Sequence, residues 1–323
     1  MSTKISGAEA IIKSLLAEGV ETIFGYPGGA IIPVYDALYG YKSELHHILV
    51  RHEQAAIHAA QGFARVSGKV GVAIVTSGPG ATNVITGITD ALMDSTPLVV
   101  ISGQTPSKGL GSDAFQETDV IGITQPVTKW NYQVRNAEEI PWAISRAFYI
   151  AQSGRPGPVV VDITKDAQMG KLEWRYEKCN YIRSYEPYPV PDKRAVLAAA
   201  DLINSANKPL IIAGHGVMIS GAEEELVTLA EKASIPVVNT LLGLSTVPSE
   251  HPLFKGMVGM HGNIGANINT NKCDVLVAIG MRFDDRVTGD TETYAKQAKI
   301  IHVDIDPSEF DKNIKSDVSI LGD

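Results

Sequence analysis

One glutamate stands between a short apolar strand and a helix, where a carboxylate can take part in acid–base chemistry. Glu53 follows Arg51 and His52, and the predicted helix after it is rich in small and apolar residues. We therefore expect its carboxylate to be poorly solvated, a setting that suits proton transfer. The dipole of a helix also favours a carboxylate at its N-terminus without any catalytic role. Taken by itself, Glu53 is better explained by that structural role.

Two glycine-rich turns flank this glutamate in the sequence. Residues 25–29 read GYPGG, and residues 76–83 read TSGPGATN. The Gly78-Pro79-Gly80 turn carries little side-chain bulk, so a flat ring could approach its backbone.

The second half of the chain contains part of a dinucleotide-binding pattern. Gly214 and Gly216 follow an apolar strand, but Ile219 stands where the pattern has its third glycine. Asn239 ends the next strand, where an NAD-binding fold places an acidic residue. An ordinary NAD site is therefore disfavoured, and these glycines alone are better explained as a structural turn.

A charged stretch and two shorter motifs follow in the second half. Residues 280–289 read GMRFDDRVTG, which alone is better explained as a surface ion-pair cluster. Residues 259–262 read GMHG, and residues 303–306 read VDID at the end of a predicted strand. A carboxylate at a strand end can accept hydrogen bonds from ribose hydroxyls. The combination favours a binding site over the ion-pair cluster.

These motifs occur in the same order and spacing as in thiamine diphosphate enzymes, and the chain most resembles the acetolactate (acetohydroxyacid) synthase family. The resemblance covers essentially the whole chain and continues through residues 103–106, 112–117, 154–158 and 162–166. The chain departs from the family pattern at Thr164, where proline is usual before Lys165. It also departs in the loop 106–110, which lacks two arginines that often follow the proline.

The resemblance implies which residues act in the first half. In these enzymes a glutamate bonds N1′ of the thiamine pyrimidine and favours the imino form that removes the C2 proton. That role falls on Glu53. Without the resemblance, core packing would be favoured for Phe115 and a loop amide for Gln116. The implied catalytic set is Glu53, Phe115, Gln116 and Lys165; Gly78, Pro79 and Gly80 contact the pyrimidine, and Gly29, Ala30, Met260 and Arg286 contact substrate.

The resemblance also implies FAD in the second half. Glycines after strands let backbone amides approach phosphates. Arg286 is expected to select the second 2-keto acid, because its planar fork suits a carboxylate, and Met260 is expected beside the acceptor's alkyl group. The implied flavin contacts are Arg155, Gly214, Gly216, Thr240, Leu241, Met260, His261, Gly280, Arg282, Asp284, Arg286, Val287, Asp304, Ile305, Asp306, Gly322 and Asp323.

The implied activity is the first common step of branched-chain amino-acid biosynthesis. Pyruvate is decarboxylated on thiamine diphosphate, and the two-carbon unit joins pyruvate or 2-ketobutyrate. The alternatives are another thiamine diphosphate enzyme of the pyruvate oxidase kind, or a non-catalytic nucleotide-binding protein on the same fold. No motif for Mg²⁺ and diphosphate is present, so we expect that site in a further domain of a longer parent protein. The 323-residue chain itself should then be inactive.

Charge and hydropathy indicate the setting. A formal net charge of −8 argues against a nucleic-acid partner, and no apolar run is long enough to span a bilayer. We expect a cytoplasmic homodimer or homotetramer that acts on small 2-keto acids, with a possible small regulatory subunit. We expect the chain itself to self-associate as a symmetric dimer.

The pattern of elements predicts an α/β fold of two domains, each a parallel sheet flanked by helices. The domains are predicted at 1–170 and 192–323, with an aromatic, proline-rich linker at 171–191. Ser6 and Gly19 are expected to bound the first helix, and Asp192 is expected to cap a helix ending near Ala206. Strands are predicted at Thr22–Phe24, His47–Val50, Val70–Val75, Leu98–Ile101, Val159–Ile163, Leu210–Ala213, Val237–Asn239, Val275–Ile279 and Ile300–Ile305, and further helices at 53–67, 80–93, 138–151 and 221–233.

Overall fold

The computed structural model describes residues 4–323, and the chain divides into two compact units with the boundary after Tyr185. That boundary falls inside the stretch 171–191 that the sequence predicts as a linker. Among the described residues, no helix is both long and apolar enough to cross a membrane.

The first unit is built on a sheet of six parallel strands. They are β2 (Thr22–Gly25), β3 (His46–Leu49), β4 (Gly71–Val75), β5 (Leu98–Gln104), β6 (Trp130–Val134) and β7 (Pro158–Thr164). Their order in the sheet is β3-β2-β4-β5-β7-β6. Two further strands, β1 (Lys4–Ser6) and β8 (Lys171–Glu173), pair antiparallel in a small separate sheet. The helices are α1 (Gly7–Ala17), α2 (Ile32–Tyr39), α3 (Glu53–Ser67), α4 (Pro79–Asn83), α5 (Ile85–Met93), α6 (Val120–Thr124), α7 (Ile140–Gln152) and α8 (Lys165–Met169).

Both faces of this sheet are covered, because successive apolar residues of its central strands point to opposite faces. Val72 and Ile74 of β4 pack into one hydrophobic core with α1 and α7, while Ala73 and Val75 pack into another with α3 and α5. Every residue of β4, β5 and β7 is buried. Polar side chains that serve a ligand must therefore stand in the loops at the strand ends.

The predicted helix caps are confirmed. The Ser6 hydroxyl accepts a hydrogen bond from the Glu9 amide at 3.1 Å, and Gly19 adopts a φ of +80° just after α1. In the second unit, Asp192 accepts from the Arg194 amide at 2.9 Å and caps the next helix. Caps of this kind fix where the helices begin, and so fix which residues fall at the sheet edge.

The second unit is another six-stranded parallel sheet with helices on both faces, so the predicted fold class is confirmed. Its strands are β9 (Pro209–Ala213), β10 (Val237–Asn239), β11 (Phe254–Met257), β12 (Val275–Ile279), β13 (Lys299–Asp304) and β14 (Val318–Leu321). Their order is β11-β10-β9-β12-β13-β14. The helices are α9 (Lys193–Ser205), α10 (His215–Ser220), α11 (Glu223–Ala233), α12 (Ile264–Thr270) and α13 (Asp285–Thr288).

Some elements differ from the sequence prediction. The predicted helix 80–93 is two helices that break at Val84, and the predicted helix 221–233 begins only at Glu223, since Gly221 ends α10 with a φ of +67°. The sequence did not predict β1, β6, β8, β11 and β14. All five lie at sheet edges, and β1 and β8 have only three residues each. Each of the five contains at least one polar residue, so none is a fully apolar run. The first residues of the predicted linker form β8, because Leu172 is buried opposite Ile5.

Candidate active site

The predicted catalytic residues of the first unit gather at one edge of its sheet. Parallel strands bring their carboxyl ends to the same edge. Here the loop with Gly29 follows β2, the loop with Gly78 follows β4, and the loop with Gln116 follows β5. Glu53 begins α3 soon after β3, and Lys165 follows β7 directly.

Glu53 is buried, with 8% of its surface exposed, and its two carboxylate oxygens have different surroundings. Oε2 accepts a hydrogen bond from the side-chain Nδ2 of Asn83 at 2.8 Å. Oε1 lies beside Gly80, since a Cβ placed on that glycine would be 3.3 Å from it and 2.8 Å from Thr76 Cγ2. The helix cap is supplied by His52, whose Nδ1 accepts from the Gln54 amide at 3.1 Å. Capping therefore does not explain the buried carboxylate.

The tyrosine and histidine behind Glu53 add no charge to its surroundings. The Tyr35 hydroxyl lies 3.3 Å from His47 Nε2 and 3.4 Å from the Ile74 carbonyl. Burial, followed by the nearby charge of Glu53, raises the pKa of Tyr35, so the phenol stays protonated. Burial also lowers the pKa of His47, with partial opposition from the Gly25 backbone. Both groups are therefore neutral at pH 7, and neither offsets the negative charge of the carboxylate.

The loop after β5 packs on the glycine turn after β4. Gly78 has a φ of +57°, and a Cβ there would lie 2.6 Å from the Gln116 carbonyl oxygen. Only glycine fits this approach. Phe115 is 87% exposed, which excludes the core-packing interpretation of that residue. The structure thus brings Gln116 against the turn that the sequence predicts for the pyrimidine.

Lys165 meets the turn after β2. Its ammonium donates to the Gly29 carbonyl at 3.2 Å, and the Ala30 amide donates to Thr76 Oγ1 at 3.2 Å. Gln168, one turn beyond Lys165, donates to the Ala30 carbonyl at 2.9 Å. Lys165, Gly29 and Ala30 therefore lie together.

The two departures from the family pattern touch each other. Ser107 Oγ donates to Thr164 Oγ1 at 3.3 Å, and Asp166 accepts from the Ser107 amide at 3.0 Å. These hydrogen bonds fix the start of α8 where the family pattern has proline. The substitution at Thr164 therefore leaves the lysine in place.

Sequence reasoning missed three residues of this edge. Thr76 and Asn83 bound the TSGPGATN motif, and Gln168 is buried one helical turn after Lys165. A search for polar residues at the ends of the motif, and at i+3 from the lysine, would have found them.

Arg155 lies apart from this group. It precedes β7, and its Nε donates to Ser95 Oγ at 2.9 Å in the loop before β5. Both positions are at the amino-terminal edge of the sheet, opposite to Glu53. Arg155 is therefore not brought to the pyrimidine side of the first unit.

The predicted flavin residues of the second unit lie at the carboxyl edge of its sheet, where all six strands contribute. They are Gly214 and Gly216 after β9, Thr240 and Leu241 after β10, Met260 and His261 after β11, Gly280, Arg282, Asp284, Arg286 and Val287 after β12, Asp304, Ile305 and Asp306 at the end of β13, and Gly322 and Asp323 after β14.

The glycines of this edge pack on one another. A Cβ on Gly216 would lie 2.6 Å from the Cα of Gly280, which has a φ of +60°. The Gly214 amide donates to Ile279, the Gly216 amide to Gly280, and the Gly280 amide to Val303. These three N–H groups are already used within the protein. A phosphate at this edge would therefore be held by other donors. The expectation that the amides of these glycines approach phosphates is wrong.

The charged stretch after β12 forms a short helix and a small ion pair. Asp284 caps α13 by accepting from the Arg286 and Val287 amides at 3.0 and 3.2 Å, and it lies 3.4 Å from Arg282. A cleft of about 320 Å³ opens here, lined in part by Arg282, Lys312 and Asn313.

Met260 and Arg286 are neighbours after β11 and β12. Arg286 Nη1 lies 3.9 Å from Met260 Sδ, and the Met260 amide donates to the Arg286 carbonyl at 2.7 Å. Both side chains are largely exposed: Met260 is 63% exposed, and the Arg286 side chain 70%.

The aspartates after β13 differ in their surroundings. Asp304 is largely buried and accepts from the Asp306 amide at 2.9 Å, while its Oδ2 lies 4.0 Å from the fully buried His302. Asp306 accepts from the Ser308 amide at 3.0 Å and starts a 3₁₀ turn. The Gly322 amide donates to the Asp304 carbonyl at 3.1 Å.

Comparisons with known proteins found two matching domain models. The thiamine pyrophosphate enzyme N-terminal TPP binding domain matches residues 5–123, and the thiamine pyrophosphate enzyme central domain matches residues 196–323. The chain therefore belongs to the thiamine pyrophosphate enzyme family. The predicted resemblance is confirmed.

Within that family, the chain is similar to acetolactate synthase large subunits. It is 54% identical over 99% of its length to a probable acetolactate synthase large subunit from Methanocaldococcus jannaschii, of which it covers 54%. It is 51% identical to the acetolactate synthase large subunit of Corynebacterium glutamicum and 48% identical to that of Haemophilus influenzae. In both cases 99% of the chain aligns, with 51% and 56% of the relative. The chain spans about half the length of the curated relatives it matches.

Proposed function

We propose that this chain supplies the pyrimidine-binding and flavin-binding domains of an acetolactate synthase catalytic subunit. The enzyme decarboxylates pyruvate and joins the two-carbon unit to pyruvate or 2-ketobutyrate, giving 2-acetolactate or 2-aceto-2-hydroxybutyrate. The observation that carries the proposal is the buried Glu53, with one oxygen held by Asn83 and the other beside Gly80. Similarity to acetolactate synthase large subunits over 99% of the chain favours this reaction over pyruvate oxidation.

The residues present fit a thiamine pyrimidine. Gly80 leaves space beside Glu53 Oε1 that any Cβ would fill. Oε2 is occupied by Asn83, so only one oxygen is left to meet a ring nitrogen. Thiamine diphosphate, when bound, supplies the carbon nucleophile that attacks a 2-keto acid. Glu53 would share a proton with the pyrimidine through Oε1. The burial of Glu53 would keep water away from that oxygen.

Three other groups would act on the substrate. Gln116 and Phe115 stand on the loop against Gly78, where an amide and an aromatic face border the reacting carbonyls. Lys165 is fixed by the Gly29 carbonyl and presents an ammonium for a 2-keto acid carboxylate.

FAD would bind at the carboxyl edge of the second sheet through side chains. The amides of Gly214, Gly216 and Gly280 are engaged, so the charged donor for its phosphates is Arg282. Asp304 would accept hydrogen bonds from ribose or adenosine.

Acceptor choice would rest on Arg286 and Met260. The guanidinium can hold a carboxylate by two hydrogen bonds, and the neighbouring thioether can pack on an alkyl group. Arg286→Lys keeps the charge but loses the fork. We expect a lower ratio of 2-aceto-2-hydroxybutyrate to 2-acetolactate when both acceptors compete. An unchanged ratio would leave Arg286 with a structural role only.

The acetolactate-forming assembly would be a cytoplasmic homodimer or homotetramer. Its relatives are named large subunits, which supports a smaller regulatory partner for this chain as well. Light scattering of the chain at high concentration tests self-association, and a strict monomer would contradict it.

The main test replaces Glu53 in the acetolactate-forming protein. Glu53→Gln keeps an acceptor for Asn83 but cannot share a carboxyl proton. We expect hydrogen exchange at C2 of thiamine diphosphate, followed by NMR, to slow by about 100-fold or more. Glu44→Gln, an exposed carboxylate elsewhere in the same unit, is the control and should match wild type. Near-wild-type exchange in Glu53→Gln would remove Glu53 from the mechanism.

Product analysis separates the proposed reaction from the alternative. Pyruvate should give acetolactate, whereas acetyl phosphate or acetaldehyde would indicate a pyruvate oxidase or decarboxylase.

The flavin assignment is tested on the 323-residue chain by calorimetry. We expect measurable FAD binding that weakens in Arg282→Ala but not in Lys232→Ala, which removes an exposed cation from α11. Thiamine diphosphate should bind this chain negligibly. Tight binding of thiamine diphosphate without FAD would overturn the division between the two units.

A further inference from the structure

The loop that carries Phe115 and Gln116 adopts an unfavourable backbone conformation. Asp113 and Gln116 have φ angles of +56° and +57°, a region that favours glycine. Phe115 between them is 87% exposed, so its side chain is not anchored in the core. Some other interaction must hold this part of the chain in place.

That interaction is the side chain of Glu117. Its Oε2 accepts from the Ala114 amide at 3.0 Å, and its Oε1 accepts from the Gly111 amide. The Glu117 amide in turn donates to the Ala114 carbonyl at 2.9 Å. Ala114–Glu117 is therefore a β-turn with Phe115 and Gln116 at its centre, closed by backbone and side chain together. A positive φ is what position i+2 of a type II turn requires, and Gln116 occupies that position.

The charge state of Glu117 agrees with this geometry. The hydrogen bond from the Gly111 amide has the largest effect and lowers the pKa of Glu117. Burial opposes this shift, and the hydrogen bond from the Ala114 amide adds to it. An ionised carboxylate accepts from both amides at once.

The chain just after Glu117 is anchored to the sheet. The side-chain Nε2 of Gln104 in β5 donates to the Thr118 carbonyl at 3.0 Å and to Asp162 of β7 at 3.1 Å. Asp162 is fully buried and also accepts from Ser102 at 2.6 Å. The turn is thus fixed at its base by buried groups, whereas its tip depends on Glu117.

We propose that Glu117 is a positioning residue: its carboxylate holds the Phe115–Gln116 turn against Gly78, where the substrate carbonyls react. The inference rests on the proposed function, and it adds a residue to which no role in the reaction has been given above. The Glu117 carboxylate bonds amides of its own loop, whereas the Glu53 carboxylate bonds Asn83, so the two carboxylates share no hydrogen-bond partner. The loss of Glu117 should therefore impair the step that uses Phe115 and Gln116 and spare the proton transfer at Glu53.

The first measurement is hydrogen–deuterium exchange on the 323-residue chain. Glu117→Gln retains one acceptor oxygen and turns an NH₂ group toward the other amide. We expect the amides of residues 111–117 to exchange about tenfold faster, while peptides from β4 and β5 stay unchanged and show that the unit is folded. Glu44→Gln is the control. Unchanged exchange in the loop would overturn the proposal.

The second measurement uses the acetolactate-forming protein. In Glu117→Gln we expect C2 hydrogen exchange within about twofold of wild type and kcat for acetolactate lower by about 10- to 100-fold, the scale of a misplaced reacting group. Glu117→Asp retains the charge on a shorter side chain, and its kcat should lie between those of wild type and Glu117→Gln. Equal losses in C2 exchange and kcat, or no loss in kcat, would each overturn the assignment. If wild type forms no acetolactate, the proposed function fails, while the exchange measurement on the loop still stands.

Discussion

Glycines at strand ends serve different purposes in the two units. In the first unit Gly80 borders the side chains of Thr76 and Glu53, and Gly78 borders a loop that carries Gln116. In the second unit Gly216 and Gly280 pack backbone against backbone, and their amides bond within the protein. Glycine therefore leaves space beside a buried carboxylate only at the first sheet, and at both sheets it allows a neighbouring loop to approach closely.

Gly280→Ala should have the largest effect, on the second unit. The new Cβ would lie 2.7 Å from Gly216 Cα and 2.9 Å from the Val217 nitrogen, at a φ of +60°. Backbone atoms cannot give way as a side-chain tip can. We expect a loss of about 3 kcal/mol or more in the free energy of unfolding, measured by urea denaturation. Gly221→Ala is the control, with a φ of +67° and nothing within 4 Å; its cost should be about 1 kcal/mol. Equal costs would mean that the close packing adds nothing.

Gly78→Ala should lower the stability of the first unit less than Gly280→Ala lowers that of the second. Its effect on function should be the larger one. The Gln116 carbonyl that the Cβ would meet belongs to an exposed loop, which can move. We expect a cost of about 2 kcal/mol, above the roughly 1 kcal/mol of Gly68→Ala. Gly68 has left-handed helical angles and open space around it, whereas Gly78 has a ψ of −116° that side chains rarely adopt. Only Gly78→Ala should loosen residues 113–117 in hydrogen exchange. A cost as large as that of Gly280→Ala would remove the contrast between the units.

Asp162→Asn tests the buried carboxylate on which the first sheet depends. Burial raises the pKa of Asp162, against the hydrogen bonds from Ser102, Gln133 and Gln104. The folded state therefore holds a proton that the unfolded state has lost, and wild-type stability falls as pH rises from the ordinary carboxyl value through the raised one. Asn can accept from both glutamines through its single amide oxygen, while its NH₂ group donates to the Ser102 hydroxyl, and it never carries a charge. We expect its stability relative to wild type to improve across that range, by about 1.4 kcal/mol for each pH unit that the range spans. Parallel pH profiles of the two proteins would contradict the raised pKa.

The smallest effect concerns the two cysteines, because chemical labelling of each one reports on its unit without disturbing it. Burial raises the pKa of Cys273 in the second unit to about 12, and the residue is 3% exposed. Cys179 in the first unit is partly exposed. Iodoacetamide at pH 8 should therefore modify Cys179 and leave Cys273 intact, since the thiolate is the reactive form. Gly280→Ala should make Cys273 reactive, and Gly78→Ala should not. Labelling of both cysteines at equal rates in wild type would contradict the buried site.

Much of the fold followed from local patterns. The caps at Ser6 and Asp192 and the apolar runs of β4, β5 and β12 were predicted correctly, because each is decided by neighbouring residues. The edge strands were not. β6 mixes polar and aromatic residues, and β11 contains Lys255 and Gly256, so neither shows the apolar run of a central strand.

Residues of the candidate site could be predicted where they stand in recognisable sequence motifs. The contacts between residues of separate elements could not. Glu53 and the TSGPGATN turn were found together, but the hydrogen bond from Asn83 to Glu53 joins residues from separate elements. The use of the strand-end amides in the second unit also depends on how three strands pack, which no single stretch encodes. Glu117 was noticed only as part of a matching segment. Its bond to Gly111 depends on loop conformation.

The small sheet of β1 and β8 bears on how the protein is made. Lys4 pairs with Glu173, and β7, which is made late, inserts between β5 and β6. A ribosome needs on the order of ten seconds to synthesise the intervening stretch. During that time β1 has no partner and β5 has an open edge. The first unit cannot close gradually as it emerges, and its assembly must wait for residues 158–173. Slow codons or a pause before that point would lengthen the exposure of its apolar strands to chaperones and to aggregation.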